Sequence, residues 1–176
     1  QEQLEDDDFI YVSYSGETQM KLIQDLCSAN LSEPYSVFTY RYFVNNWPYL
    51  TYLAMDKRNK NECVGLIVAQ LKEKSLSGYI AMLVVDKSQR RKGLGTKLVS
   101  LSIKKMIKLG ANYVMLETEV DNHGALKLYE KLGFIKDYQY RNYYLNGNGA
   151  FRLKLFLSTP EPINTFNKFQ QFQAGF

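Results

Sequence analysis

Histidine and cysteine are scarce in this chain, which narrows the kinds of catalytic site it can hold. The 176 residues include one histidine, His123, and two cysteines, Cys27 and Cys63. A Ser–His or Cys–His nucleophilic site would depend wholly on His123, and a zinc site usually needs several His or Cys ligands. The two cysteines match no metal-binding or redox spacing. We therefore expect a reduced, intracellular protein that uses no metal.

Long apolar runs are also missing. No run approaches the roughly 18–20 apolar residues that are needed to cross a bilayer. Residues 1–8 are acidic, with neither the basic nor the apolar stretch of a secretory signal. These absences predict a cytoplasmic protein without a membrane span.

The length of the chain fits one domain, because a single hydrophobic core usually serves about 100–200 residues. We predict an acidic N-terminal segment over 1–8, one globular domain over 9–157 and a C-terminal tail over 158–176. The tail is richer in aromatic residues than a disordered segment usually is. We therefore expect it to dock on this domain or on a partner.

Hydrophobic periodicity and turn residues predict seven strands and four helices. The strands are expected at 9–13, 51–55, 63–71, 78–85, 113–120, 135–145 and 150–157. A turn at 146–149 would join the last two strands into a hairpin. The helices are expected at 17–29, 36–46, 93–109 and 122–132, and the third should turn inward Leu94, Leu98, Leu101 and Ile107. The order β-α-α-β-β-β-α-β-α-β-β implies a mixed α/β sheet with helices on both faces.

The most informative segment is the turn over 84–96, which joins a buried strand to the start of a helix. Successive backbone N–H groups there, with the helix dipole behind them, form a concave anion site. Gly93 and Gly95 let the backbone approach phosphate oxygens closely. Three cations and a hydroxyl add to the site: Arg90, Arg91, Lys92 and Thr96. The alternative interpretation is a basic turn with incidental glycines.

Other phosphate motifs fit this turn badly. Leu98 stands where the dinucleotide fingerprint has its third glycine, and the Gly-Lys-Ser/Thr of a nucleoside-triphosphate loop is missing. Arg90-Arg91-Lys92-Gly93-Leu94-Gly95 instead resembles the Arg/Gln-x-x-Gly-x-Gly/Ala signature of the GNAT acetyltransferases. The segment 122–134, with Asn122, Ala125 and Tyr129, resembles the second conserved block of that family.

The resemblance implies a GNAT fold, with a central, mostly antiparallel seven-stranded sheet, a splayed parallel pair and about four flanking helices. It implies acetyl-CoA as co-substrate and no metal. In the family, the turn holds the pyrophosphate, and the preceding strand pairs with the pantetheine arm. The residues that this assigns to the co-substrate are Leu83, Val84, Val85, Arg90, Arg91, Lys92, Gly93, Gly95, Thr96, Asn122 and Tyr129.

Four further segments, 31–36, 40–43, 78–83 and 116–120, resemble the catalytic subunits of NatC-class N-terminal acetyltransferases. This implies acetylation of the α-amine of proteins that begin with Met and a bulky apolar residue. It also implies a large auxiliary subunit and a small Sm-like subunit as partners. An enzyme that meets nascent chains could use its basic stretch (residues 90–108) near ribosomal RNA, so we also expect ribosome contact. The residues assigned to the peptide are Leu31, Glu33, Tyr35, Tyr79, Met82, Glu117, Thr118, Tyr143 and Tyr144. The alternative is that the tyrosines among them are ordinary hairpin and core residues.

Two residues are candidates for proton transfer. Glu117 lies in an apolar strand, where a carboxylate is costly unless it is paired or its pKa rises, and such an environment suits a general base. Glu119 is the rival base, and Glu117 could instead meet water or a lysine at the strand end. By resemblance, the hydroxyl of Tyr129 protonates the departing thiolate; by periodicity alone, Tyr129 is a packing residue.

Two other functions remain open at this stage. One is a GNAT enzyme that acetylates lysine or small-molecule amines. The other is a non-catalytic module that binds acyl-CoA or nucleic acid through the basic stretch 90–108. That stretch lacks the interleaved aromatic residues that stack on bases, which disfavours nucleic acid.

Overall fold

A computed structural model describes residues 3–31, 33–59 and 62–157. Within them, eight strands form one sheet in the order β1-β2-β3-β4-β5-β6-β8-β7. The strands are β1 Gln3–Glu5, β2 Phe9–Ser13, β3 Tyr52–Asp56, β4 Cys63–Lys72, β5 Ser77–Val85, β6 Tyr113–Glu119, β7 Ile135–Tyr140 and β8 Ala150–Phe156. Every neighbouring pair is antiparallel except β5 and β6. The predicted mixed α/β sheet with one parallel pair is confirmed.

The strand count differs from the prediction by one. Gln3–Glu5 lies in the acidic segment and pairs antiparallel with β2, in the register Gln3↔Val12 and Glu5↔Ile10. Strand pairing uses backbone groups, and short charged strands are common at sheet edges, so the acidic composition does not prevent it. The predicted tail, 158–176, lies outside the described residues.

The described residues contain four α-helices: α1 Met20–Asn30, α2 Val37–Asn46, α3 Leu94–Lys108 and α4 His123–Lys131. Side chains cap two of them, since Ser36 accepts from Thr39 N and Asn122 accepts from Ala125 N. α1 and α2 cover one face of the sheet around Ile23, Cys27 and Tyr40, and α3 and α4 cover the other. None of these helices is both long enough and apolar enough to cross a bilayer.

Two sequence predictions about these elements are wrong. Ile107 is 45% exposed, whereas Met106 is fully buried. Nine residues separate Ile107 from Leu98, about two and a half helical turns, so the two side chains lie on opposite sides of α3. Strand β7 ends at Tyr140 instead of residue 145, and 141–149 is a loop in which Asn142 and Gly147 have positive φ.

The parallel pair opens into a cleft. β5 and β6 are paired only over Ser77↔Tyr113, Gly78↔Val114 and Tyr79↔Met115. Beyond that point β5 stays paired with β4 as far as Val85, while β6 stays paired with β8 as far as Glu119. The register of β5 shifts between Ile80 and Met82, and this irregularity adds twist to the strand. The two strands therefore separate on the side where β5 leads into the predicted phosphate-binding turn.

Candidate active site

The predicted phosphate-binding turn lies at the N-terminus of α3. Gly93 is the N-cap with φ +80°, and among the described residues no side-chain hydrogen bond caps this helix. The first N–H groups of a helix have no intrahelical acceptor, so those of α3 are available to an anion. The short turn Lys87–Gln89 leads into Arg90 and the left-handed Arg91, which carry the chain to the helix.

The two glycines of the turn are needed for different reasons. Gly93 has a positive φ that L side chains rarely adopt, and a Cβ there would meet no atom within 4 Å. A Cβ on Gly95 would lie 2.9 Å from Leu128 Cδ1 of α4. Gly95 therefore leaves room for the end of the Leu128 side chain, which would have to shift to accept a Cβ at this position.

An elongated cleft of about 650 Å³ runs from this turn along the opening of the sheet. Of the eleven residues predicted to hold the co-substrate, nine line it: Leu83, Val84, Val85, Arg90, Arg91, Gly93, Gly95, Thr96 and Asn122. Leu31, predicted for the peptide, lines it as well. A groove with a helix N-terminus and several cations at one end fits an extended anionic ligand such as CoA.

Lys92 and Tyr129 do not line this cleft. The Lys92 ammonium donates to Gln89 Oε1 at 2.8 Å, and the buried Gln89 in turn donates to Asp56 Oδ2 at 3.3 Å. Tyr129 is buried beneath α4, with its ring edge-to-face on Phe134 at 5.2 Å. Burial raises the pKa of the Tyr129 phenol, so the hydroxyl keeps its proton near neutral pH.

Glu117 faces the opening from the α1/α2 side. It is half-buried, and its Oε2 accepts a 2.8 Å hydrogen bond from the Tyr79 hydroxyl of the neighbouring strand. Burial and the Glu117 carboxylate both raise the pKa of Tyr79, so this phenol remains a donor. Among the described residues the carboxylate bonds to this phenol and to no cation, which leaves its second oxygen available to accept a proton.

The loop 141–149 brings two predicted tyrosines to the same side. The Tyr143 and Tyr144 rings lie 5.1 Å apart, and both backbone N–H groups donate to Asn148 O. Burial raises the pKa of both phenols, and the Glu117 charge adds to the shift. Tyr35, after α1, also contributes to the raised pKa of Tyr79, Tyr143 and Tyr144, which indicates that these four tyrosines and Glu117 lie within electrostatic range of one another.

The remaining peptide predictions fall in different places. Glu33 is exposed in the α1–α2 loop, and Met82 is buried in the core under α1 and α2. Thr118 is buried on the α3/α4 face, because side chains alternate along β6 and Glu117 takes the other side. The structure therefore brings Tyr35, Tyr79, Glu117, Tyr143 and Tyr144 to the same side of the sheet, whereas Met82 and Thr118 are buried in the core.

Glu119, the rival base, has a different hydrogen-bond partner from Glu117. Its Oε2 accepts from Asn148 Nδ2 at 3.2 Å, and the same amide reaches Asp121 Oδ2 at 3.4 Å. These bonds attach the loop 141–149 to the end of β6. Glu119 therefore anchors the loop that carries Tyr143 and Tyr144.

Sequence reasoning missed several residues of the cleft wall: Asn30, Gln89, Leu94, Gly124, Ala125, Lys127, Leu128 and Lys131. The i, i+4 spacing of Lys127 and Lys131 beside Asn122 was a usable signal, because it places two cations on one side of a helix. Asn30 carries no local signal, since its partners Asp86 and Lys87 are far away in the chain.

Comparisons with known proteins agree with this geometry. The model of the acetyltransferase (GNAT) family matches residues 20–134. The N-alpha-acetyltransferase 30 of Xenopus laevis is 53% identical over 155 residues, which are 86% of this chain and 56% of that protein. The N-alpha-acetyltransferase MAK3 of Arabidopsis thaliana is 48% identical over 161 residues, 90% of this chain and 83% of that protein.

A solved structure extends the comparison to three dimensions. A chain in the crystal structure of the NatC complex bound to Gag peptide and CoA matches with a TM-score of 0.82 and 42% identity, over 86% of this chain and 99% of that one. The present chain spans about half the length of the Xenopus and human relatives, 56% and 42%.

Proposed function

This chain belongs to the acetyltransferase (GNAT) family, and from that premise we propose that it is an acetyl-CoA-dependent N-terminal acetyltransferase. Its substrates would be proteins that begin with Met and a bulky apolar residue. One observation carries the proposal: β5 and β6 separate beyond Tyr79, with a cationic cleft at one end of the gap and the Tyr79–Glu117 pair beside it.

The cleft residues fit acetyl-CoA, which supplies the acetyl group as a thioester when bound. The uncapped N–H groups at the start of α3 and the side chains of Arg90, Arg91 and Thr96, which line the cleft, would hold the pyrophosphate. Leu83, Val84 and Val85 present the β5 edge that β6 leaves unpaired. Asn122 caps α4, which forms the opposite wall with Lys127 and Lys131.

The tyrosine cluster on the other side suits a peptide better than a small amine. Phenolic hydroxyls hydrogen-bond to peptide groups while their rings contact apolar side chains. Tyr35 and Tyr143 are exposed, and Tyr144 is half-buried behind them. We place the first peptide residues beside Glu117, in a proposed aromatic slot made by these tyrosines with Leu31 and Glu33 of the α1–α2 loop.

Glu117 is our candidate general base. An α-amino group has a pKa of about 7.7–8.0, so a substantial fraction is neutral at physiological pH and the base has a modest task. Glu117 takes the amine proton, directly or through one water, while Tyr79 fixes the orientation of its carboxylate. Glu119 accepts a hydrogen bond from Asn148, which supports a loop-anchoring role for Glu119 and not the role of base.

Tyr129 is our candidate acid by its resemblance to the family. It is buried with its ring against Phe134 and is not among the residues that line the cleft, so the proposal requires its hydroxyl to reach the sulfur from beneath α4. As the amine nitrogen bonds to the acetyl carbon, the carbon–sulfur bond breaks, and Tyr129 donates its proton to the departing sulfur. Its raised pKa keeps it protonated until that moment. The amine proton that Glu117 receives balances the proton that Tyr129 gives up, and solvent restores both groups. Both cysteines are buried and free, and burial raises the pKa of the Cys63 thiol to about 12, so neither is a suitable acetyl acceptor.

Partners and location complete the proposal. We infer that the chain works as the catalytic subunit of a NatC complex, with a large auxiliary subunit and a small Sm-like subunit, in the cytoplasm and in contact with the ribosome. The 42% identity to a chain of a NatC complex supports this assignment. We assign catalysis to 9–157, and we keep 1–8 as an acidic segment and 158–176 as a tail for docking.

A substrate panel tests the function. Acetyl transfer is measured with a Met-Leu peptide, the same peptide with a blocked α-amine and a free lysine, and a polyamine. We expect turnover of the first alone, with the acetyl group on the α-nitrogen by fragment mass spectrometry. Preferred turnover of the blocked lysine peptide or of the polyamine would contradict the proposal, as would CoA binding without any transfer.

A further inference from the structure

The side chain of Asn30 joins the end of α1 to the beginning of the phosphate-binding turn. Its Nδ2 donates to Leu26 O at 3.0 Å and to Asp86 Oδ2 at 3.3 Å. Its Oδ1 accepts from Lys87 N at 3.1 Å. One amide therefore uses both its donor and its acceptor group to connect two elements that are distant in the chain.

Asp86 is itself built into the turn that Asn30 holds. Its Oδ1 accepts from Ser88 N at 2.8 Å and from Ser88 Oγ at 2.6 Å, and its carbonyl accepts from Gln89 N. The bonds from Ser88, with a contribution from Asn30, hold the pKa of the Asp86 carboxyl below its usual range. Asp86 thus fixes the short turn Lys87–Gln89, which directly precedes Arg90.

On its other side, Asn30 is the last residue of the helix that leads to the peptide slot. Leu31 ends α1 through a 2.9 Å bond to Cys27 O, and it lines the same cleft as Asn30. Tyr35 follows four residues later, and its N–H donates to the hydroxyl of the buried Tyr40. The Asn30 contact is therefore a direct tie between the segment that holds phosphate and the segment that bears Leu31, Glu33 and Tyr35.

We propose that Asn30 is a positioning residue that couples the binding of acetyl-CoA to the binding of the peptide; the proposal rests on the function proposed above. A pyrophosphate held by Arg90 and the start of α3 immobilises the turn 86–89. That turn holds Asn30 and, through it, the wall of the peptide slot. Each ligand then meets a site that the other has already ordered, and by linkage each must raise the affinity for the other by the same factor.

Calorimetry on the full chain measures this coupling without turnover. CoA, which carries no acetyl group, and a Met-Leu peptide with a free α-amine are titrated in both orders. In the wild type we expect each ligand to tighten the other by about tenfold, within the usual range of coupling energies. In Asn30→Ala this factor should fall to about twofold or less. In separate steady-state kinetics with acetyl-CoA, the peptide KM of this variant should rise more than kcat falls.

Asn46 offers a matched control. It is the last residue of α2, and its Nδ2 donates to Tyr42 O, the same i−4 bond that Asn30 makes to Leu26. It is not one of the residues that line the cleft. Asn46→Ala therefore removes the helix-end bond alone, and it should leave the coupling factor unchanged.

A charge swap separates positioning from general stability. Asn30→Asp sets two carboxylates against each other and removes the donor, so coupling should be lost. Adding Asp86→Asn restores a donor–acceptor pair in the opposite sense, while Lys87 N and Ser88 N keep their acceptors. Coupling should then largely return, and this rescue decides the matter even if Asn30→Ala does not fold.

The outcomes are distinct. A wild-type coupling factor in Asn30→Ala, or a double variant no better than Asn30→Asp, overturns the role of Asn30. Independent binding of both ligands to the wild type overturns it as well, and leaves the proposed function standing. If the wild type gives no heat with CoA, the proposed function itself fails.

Discussion

The hydroxyl of Tyr79 donates a 2.8 Å hydrogen bond to Glu117 Oε2 across the only parallel strand pair among the described residues. The pairing Tyr79↔Met115 is the last one before the strands separate, and Glu117 stands two residues further along β6 on the same face as Met115. The bond therefore spans the point at which the gap opens. It places an oriented carboxylate where an amine and a thioester would meet.

Replacement of this carboxylate tests its role. Glu117→Gln keeps the size of the side chain and the contact with Tyr79 but cannot accept the amine proton at neutral pH. We expect kcat for a Met-Leu peptide to fall about 100-fold, the usual scale for loss of a general base, with a small change in CoA affinity. Steady-state kinetics and calorimetry measure the two quantities.

Glu119→Gln is the comparison for that experiment. Because the amide oxygen of Gln can still accept from Asn148 in the loop 141–149, Glu119→Gln should leave both kcat and the peptide KM close to their wild-type values. If Glu119→Gln abolishes kcat while Glu117→Gln leaves it intact, the assignment of the base is reversed.

The tyrosines of the slot depend on a contact behind them. Arg152 forms an ion pair with Asp137, and its guanidinium lies over the Tyr138 ring. It also donates to the Tyr140 hydroxyl at 3.4 Å. The ring of Tyr140 in turn packs against that of Tyr143, with 5.1 Å between their centroids. Arg152→Ala should therefore loosen Tyr143 and raise the peptide KM about three- to tenfold, with CoA affinity unchanged. Lys21→Ala removes an exposed i, i+4 ion pair with Asp25 and should change neither value. An equal loss of CoA affinity in Arg152→Ala would show a general effect on the fold.

A comparison of alanine substitutions at Gly93 and Gly110 separates the effect of backbone strain on stability from an effect on CoA binding. Gly93 and Gly110 lie at the two ends of α3 with φ +80° and +82°, and a Cβ on either would meet no atom within 4 Å. Alanine at either position should cost about 1 kcal/mol of unfolding free energy, because an L side chain disfavours this conformation. Only Gly93→Ala should also weaken CoA binding. Equal CoA affinities for the two variants would contradict the placement of the pyrophosphate at Gly93.

The loss of unfolding free energy at low pH should depend in part on Asp56. Hydrogen bonds from Arg58 lower the pKa of this carboxyl to about 2, below its unfolded value. A depressed folded pKa stabilises the protein above the unfolded pKa, and the contribution is lost as the pH falls from about 4 towards 2. Chemical denaturation of Asp56→Asn at pH 7 and at pH 3 should show a smaller loss of stability on acidification than the wild type. An identical loss in both proteins would remove Asp56 from the acid response.

The parts of the site that lie close together in the chain could be predicted from the sequence. Gly93, Gly95 and the cations around them belong to one short turn, and periodicity was sufficient to place α3 behind it. Lys92 shows the limit of that reasoning. It was grouped with Arg90 and Arg91, but its ammonium turns to Gln89, whose own partner Asp56 comes from a distant strand.

Contacts between distant elements could not be predicted in this way. The meeting of Tyr79 and Glu117 depends on the register of the parallel pair, and that register is set by packing over the whole sheet. The burial of Thr118 away from the slot is a different case, because side chains alternate along a strand and this local rule alone sets Thr118 on the face opposite Glu117. Asn30 was missed because both of its partners across the cleft, Asp86 and Lys87, come from another element.

The central claim is that the start of α3 holds the pyrophosphate of CoA while the gap between β5 and β6 holds its pantetheine arm. A calorimetric titration that compares CoA with pantetheine and ATP tests this claim. We predict micromolar binding of CoA and binding of pantetheine, which lacks the phosphates, at least about 100-fold weaker, since several charge-assisted hydrogen bonds are lost. Absence of heat with CoA, or tighter binding of ATP than of CoA, would contradict the account.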